Sequence, residues 1–80
     1  MMISTRGRYS LRVLIDLARH EGCVPMKDVA ARQGISLGYL EKILPVLVKN
    51  GIVVGVQGKG GGYQLAKPAQ EITFGEILRL

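Results

Sequence analysis

Eighty residues, 48% of them apolar, suffice for one small domain with a single core and exclude a disordered chain, which would be poor in apolar residues. Lys and Arg number 11 against 6 acids, a formal net charge of +5 that favours a polyanionic partner, either nucleic acid or an anionic membrane surface. A single cysteine excludes a disulfide framework within the chain and a zinc site of the usual four-ligand kind.

No apolar run approaches the roughly 18–20 residues that span a bilayer. Met1–Arg8 lacks the apolar stretch of a signal peptide, so a cytoplasmic protein without a membrane partner is expected. Asp16, His20, Glu21 and Cys23 lie near one another in sequence. A lone His and Cys at a helix end are ordinarily structural or exposed, so no metal is expected within these residues.

The first helix opens at Ser4 or Thr5, either of which can accept a hydrogen bond from an early backbone amide. Tyr9, Val13 and Leu17 form an apolar row that Leu11, Leu14, Ile15 and Ala18 widen, while Arg8, Arg12, Asp16 and Arg19 mark the opposite face. Gly22 is the expected stop. A short second helix starts near Pro25, carries Met26, Val29 and Ala30 inward and ends at Gly34. Lys27, Asp28, Arg32 and Gln33 read as exposed.

Gly34-Ile35-Ser36 is the most informative junction: a turn residue, an apolar plug and an N-cap. In the third helix Leu40, Ile43, Leu44, Leu47 and Val48 form one stripe, with Asn50-Gly51 as the stop. Pro45 removes one helical hydrogen bond and predicts a kink or break within a retained helix. Ile52–Val56 and Tyr63–Leu65 read as two strands around a turn rich in glycine, a hairpin that must pack on the helices to be stable. Thr73-Phe74-Gly75-Glu76 is a capping-box pattern opening a last helix. A chain that stops one or two turns into such a helix is expected to be truncated, with a C-terminal dimerisation region beginning near residues 73–80.

The resulting fold class is mostly α with a two-stranded β-hairpin, a winged helix-turn-helix occupying residues 1–80. Here the third helix is expected to enter the major groove, and the hairpin to serve as the wing. Its first exposed residues are Ser36, Gly38, Tyr39, Glu41 and Lys42. Gly38 costs about 0.8–1 kcal/mol relative to Ala in a helix, and close approach to another surface is one reason to keep it. Glu41 suits the exocyclic amine of cytosine, Lys42 a phosphate or guanine, and Tyr39 a phosphate or a thymine methyl. The bland readings stand beside these: Tyr39 as a half-buried core residue, Glu41 and Lys42 as a solvated helix face.

Gly58-Lys59-Gly60-Gly61-Gly62 is not a phosphate-binding P-loop, because no Ser or Thr follows Lys59 and the next residues are extended. A hairpin tip approaching DNA fits better. No hydrolytic or redox constellation is visible, so an enzyme is not expected.

Four segments together carry a family resemblance: Ile3–Tyr9, Gln33–Glu41, Gly58–Leu65 and Ile72–Ile77. The chain resembles, over essentially its whole length, bacterial winged helix-turn-helix transcriptional regulators of the IscR, NsrR and CymR type. That resemblance implies a sequence-specific regulator, repressor or activator, that reads double-stranded DNA as a homodimer. It further implies that Ser36, Gly38, Tyr39 and Glu41 face the major groove, that Gln57, Gly58, Lys59 and Gly60 form the wing tip, and that Arg6 and Tyr9 meet phosphates. Many members hold Arg where Gln57 stands, so this wing is expected to read differently. Cluster-binding members place three cysteines beyond residue 80, and Cys23 matches none of them. No cofactor is therefore expected within these residues, and an iron–sulfur cluster only if cysteines follow. The alternative to DNA binding is a winged helix used as a protein–protein interaction module.

Overall fold

The computed structural model describes residues 2–80; Met1, part of the single domain expected over 1–80, lies outside the described residues. Helix α1 (Thr5–Ala18) is capped by Ser4, whose hydroxyl accepts the Gly7 amide at 2.9 Å. Val13, Leu14 and Leu17 are buried on its inner face. Tyr9 and Leu11 are half-buried, whereas Ile15 and Ala18, expected to widen that face, stay exposed. The helix ends at Arg19, whose amide donates to the Asp16 carbonyl oxygen at 3.2 Å, and the expected stop, Gly22, falls in the following loop.

Helix α2 (Met26–Gln33) begins after Pro25 and closes at Gly34, burying Met26 and Val29. Ile35 is buried, as a plug between helices should be. Ser36 caps α3 (Leu37–Lys49) by accepting the Tyr39 amide at 3.1 Å. Leu40, Ile43, Leu44 and Leu47 form the buried stripe.

Val48 does not join it and is 44% exposed. Eight residues after Leu40 it has turned about 80° off the stripe, at roughly 100° per residue. Ile52 and Val53, arriving after the Gly51 turn, fill that part of the core instead. α3 runs through Pro45 as one helix, as the stripe continuing past it led to expect. Pro45 faces solvent, so the Glu41 carbonyl left without an amide donor lies on the wet side of the helix.

Asp16, expected among the solvated residues of α1, is 2% exposed. Its carboxylate accepts from Arg32 Nε at 3.0 Å and Nη2 at 2.8 Å and from Gln33 Nε2 at 3.0 Å. A buried carboxylate requires such partners, and they arrive from α2, too far along the chain for helical periodicity to reveal them.

Strands β1 (Val53–Val56) and β2 (Gly62–Leu65) pair antiparallel, with Val53 opposite Leu65 and Val56 opposite Gly62. Ile52, expected in the first strand, precedes it and is fully buried. The hairpin is anchored from outside near its turn end, on the free edge of β2: Val24 and Tyr63 exchange backbone hydrogen bonds of 2.8 and 2.9 Å. Gly62 permits this approach, since a Cβ there would stand 2.4 Å from the Val24 carbonyl oxygen.

A 3-10 turn (Ala69–Glu71), unannounced by the sequence pattern, leads to α4 (Phe74–Leu78). The capping box forms: Thr73 accepts the Glu76 amide at 3.2 Å and its own amide donates to the Glu76 carboxylate at 2.7 Å. Lys67 also pairs with Glu76 at 2.6 Å, tying the end of the hairpin to α4. Helix, short helix, helix and two-stranded hairpin share one core and give the winged helix-turn-helix order.

The hydrogen bonds from Arg32, ahead of the opposing effect of burial, hold the Asp16 carboxyl below the usual aspartate range. A group lowered on folding stabilises fully above its unfolded value, about 3.9, and that stabilisation is lost as pH falls through the folded value. Asp16→Ala is expected to lower stability in urea unfolding by about 1.5–3 kcal/mol at neutral pH, tempered by Arg32 being 41% exposed. The gap from wild type should narrow in acid. A gap that ignores pH would rule out the charge as its source.

Candidate nucleic-acid interface

Helix α3 has two unlike sides. Opposite its buried stripe, Gly38, Glu41, Lys42 and Pro45 follow one another at spacings of three and four, all exposed. Nothing among the described residues covers them. Among the described residues, neither Glu41 nor Lys42 takes part in an ion pair, and these are the polar groups of a surface rather than of a core.

Gly38 is informative by what is missing. A Cβ built there meets nothing within 4 Å, and its backbone is ordinary helix. Neither internal packing nor strain explains a glycine at this place. Ser36 has given its oxygen lone pairs to the helix cap, yet its hydroxyl hydrogen is free to donate outward. The first turn of α3 thus presents free backbone amides, a hydroxyl and a positive dipole end, which suit a phosphate.

Tyr39 is half-buried. Its ring stands edge-on to Tyr9 of α1, with centroids 5.2 Å apart and planes at 71°. Both residues therefore serve packing and surface at once, and the core and interface readings of Tyr39 are not exclusive. Arg6, at the start of α1, is exposed.

At the far end of the hairpin Gln57, Gly58, Lys59 and Gly60 are all exposed. Gly58 and Gly60 hold φ of 98° and 78°, conformations that side chains disfavour, and the Gly61 amide closes the turn onto the Gly58 carbonyl at 2.9 Å. Lys59 is held out between them without a protein partner among the described residues.

The sequence-expected residues thus fall into two groups, the exposed side of α3 with the start of α1, and the hairpin tip. Sequence reasoning placed Arg12 on a plain solvated face. Its guanidinium instead lies 5.4 Å from the Tyr9 ring centroid and donates to the Gln33 carbonyl. The one available signal was its spacing of three from Tyr9; the Gln33 contact has none.

Residues 3–80 match the Rrf2 family, described as iron-dependent transcriptional regulator. The HTH-type transcriptional regulator IscR of Serratia proteamaculans (strain 568) is 48% identical over 80 residues, 98% of this chain and 49% of that protein. The chain therefore spans about half the length of the curated relatives it matches. Among solved structures, T. potens IscR superposes with a TM-score of 0.89 at 44% identity, over 99% of this chain and 59% of that one. CymR (YrzC), the global cysteine regulator of B. subtilis, superposes with a TM-score of 0.91 at 38% identity, over 99% of this chain and 63% of that one. The winged helix-turn-helix architecture is common to them and to this chain.

The iron in the family description finds no ligand set here. Among the described residues no three His, Cys, Asp or Glu side chains gather closely enough to hold a metal ion. Asp16 is saturated by Arg32 and Gln33, His20 Nδ1 lies 2.8 Å from the Asp16 carbonyl oxygen, and Cys23 Sγ faces Gln64 Oε1 at 3.6 Å. No helix among the described residues is long and apolar enough to cross a membrane.

Gly38→Ala should raise thermal stability, by up to about 1 kcal/mol, while weakening binding to any surface that approaches α3 closely. Melting and duplex-binding measurements on one sample check both; a variant that gains stability without losing binding would leave Gly38 without an external role.

Proposed function

The chain belongs to the Rrf2 family of iron-dependent transcriptional regulators, and on that footing we propose that it binds operator DNA sequence-specifically, α3 entering the major groove and the hairpin serving as the wing. One observation carries this reading: the exposed stripe of α3, with Gly38 at its head, is uncovered by the protein's own packing.

The roles follow from chemistry. Glu41 accepts from the exocyclic amine of cytosine in the major groove. Lys42 serves a phosphate or a guanine, and Tyr39 a phosphate or a thymine methyl. The Ser36 hydroxyl, the α3 amides, Arg6 and Tyr9 engage the backbone, which orients the domain without reading sequence. Gln57, Gly58, Lys59 and Gly60 follow the neighbouring groove, with Lys59 the charge that meets phosphate. A net charge of +5 supports attraction to the duplex at long range.

The whole regulator acts as a homodimer through a region beginning near residues 73–80. In support, Ile15, 43% exposed, lines an apolar groove with Leu11, Leu14, Ile72 and Ile77, and Phe74 at the start of α4 is 56% exposed. An exposed apolar patch of this kind suits a further packed element.

Binding to a duplex selected from a random library should weaken steeply with salt, log affinity falling by about 0.9 per phosphate contact for each unit of log salt. A flat salt response with folded protein would favour the protein-interaction alternative. Glu41→Ala is expected to relax preference at one base pair by about 1–3 kcal/mol, and Lys59→Ala to weaken all sequences alike. Equal weakening by Glu41→Ala would remove it from base reading, and a changed preference with Lys59→Ala would make the wing a reader.

A further inference from the structure

A second basic feature lies beside the exposed turn of α3. Arg8 and Arg12, one helical turn apart on α1, line an open cleft of about 330 Å³ with Tyr9 as its third wall. The ion pairs among the described residues involve Asp16 and Glu76 only, so neither arginine is neutralised by a carboxylate. Two unpaired guanidiniums around one concavity favour an anion, and their planar forks match phosphate oxygens.

The cleft is joined to α3 through its own walls. Arg12 stacks on Tyr9 and reaches the Gln33 carbonyl at the end of α2. Tyr9 in turn packs edge-on against Tyr39, in the first turn of α3. One contact of Arg12 leaves most of its five N–H donors unused.

We infer that Arg8 and Arg12 form a phosphodiester subsite on α1, flanking the groove-facing turn, which grips the duplex backbone while Arg12 also holds Tyr9 against Tyr39. This rests on the chain binding duplex DNA, as proposed above, and adds two backbone ligands to it. The site takes the phosphate of the duplex rather than a free anion because it opens beside the helix that meets the groove.

The test uses the full chain and a labelled duplex, with affinity measured against chloride concentration. Arg8→Ala and Arg12→Ala should each reduce the slope of log affinity on log salt by about 0.9. Arg12→Lys, which keeps the charge, should retain the slope but lose affinity, because an ammonium cannot reproduce the stacked fork. Arg19→Ala, an exposed α1 arginine outside the cleft, is the control and should leave the slope unchanged. Circular dichroism confirms that each variant is folded. Unchanged slopes for Arg8→Ala and Arg12→Ala, with wild type still binding steeply, would overturn the subsite alone. Failure of wild type to bind any duplex would overturn the function itself. Inorganic phosphate at constant ionic strength should displace the duplex no better than chloride does; selective displacement would make the cleft a free-anion site and refute the proposal.

Discussion

A single buried carboxylate sets the geometry of the domain. Asp16 sits on α1, and everything that satisfies it comes from the last two residues of α2. Those residues immediately precede the turn into α3, so fixing Arg32 and Gln33 against α1 fixes where α3 begins. A charge at that depth cannot be left unpartnered, which gives the arrangement a directional requirement that apolar packing alone would lack. Arg12, one turn before Asp16 on the same face of α1, reaches the same α2 terminus through the Gln33 carbonyl.

On that frame, α3 divides its labour between two surfaces. Its inner stripe is packed by Leu40, Ile43, Leu44 and Leu47. The outer one carries residues that a helix optimised for its own stability would not choose, a glycine in the first turn and a proline in the third. Each is tolerated because it faces water, where a missing side chain leaves no cavity and an unpaired carbonyl finds solvent. Local rules are broken on the side exposed for use and obeyed on the side that holds the fold together.

Much of this was legible in the sequence because it depends on local chemistry. The caps at Ser4, Ser36 and Thr73, the plug at Ile35 and the presence of a hairpin around the glycine-rich turn follow from neighbours close in sequence. The exposed stripe of α3 could be counted off by periodicity. What escaped were contacts between distant segments: Asp16 with Arg32, Arg12 with Gln33, and Val24 with Tyr63. Periodicity assigns a residue to a face but does not say what that face meets, and so a buried aspartate was indistinguishable from the arginines beside it. Val48 failed for a related reason, its place in the core being taken by residues that return after a turn. The groove-facing roles proposed for Glu41, Lys42 and the hairpin tip rest on exposure, charge and the family relationship.

The pinning of the hairpin by Val24 has a bearing on how the domain tolerates change. A shift of one residue in strand pairing would send Tyr63 and Leu65 to the opposite face and detach the Val24 bridge, because side chains alternate strictly along a strand. Beyond Val56 no such penalty applies, for the turn packs on nothing and answers only to its own backbone. Variety at the tip should therefore fall on Gln57 and Lys59, while Gly58 and Gly60 are kept to glycine by their positive φ and Gly61 by the Val56 carbonyl oxygen, 2.3 Å from where a Cβ would stand.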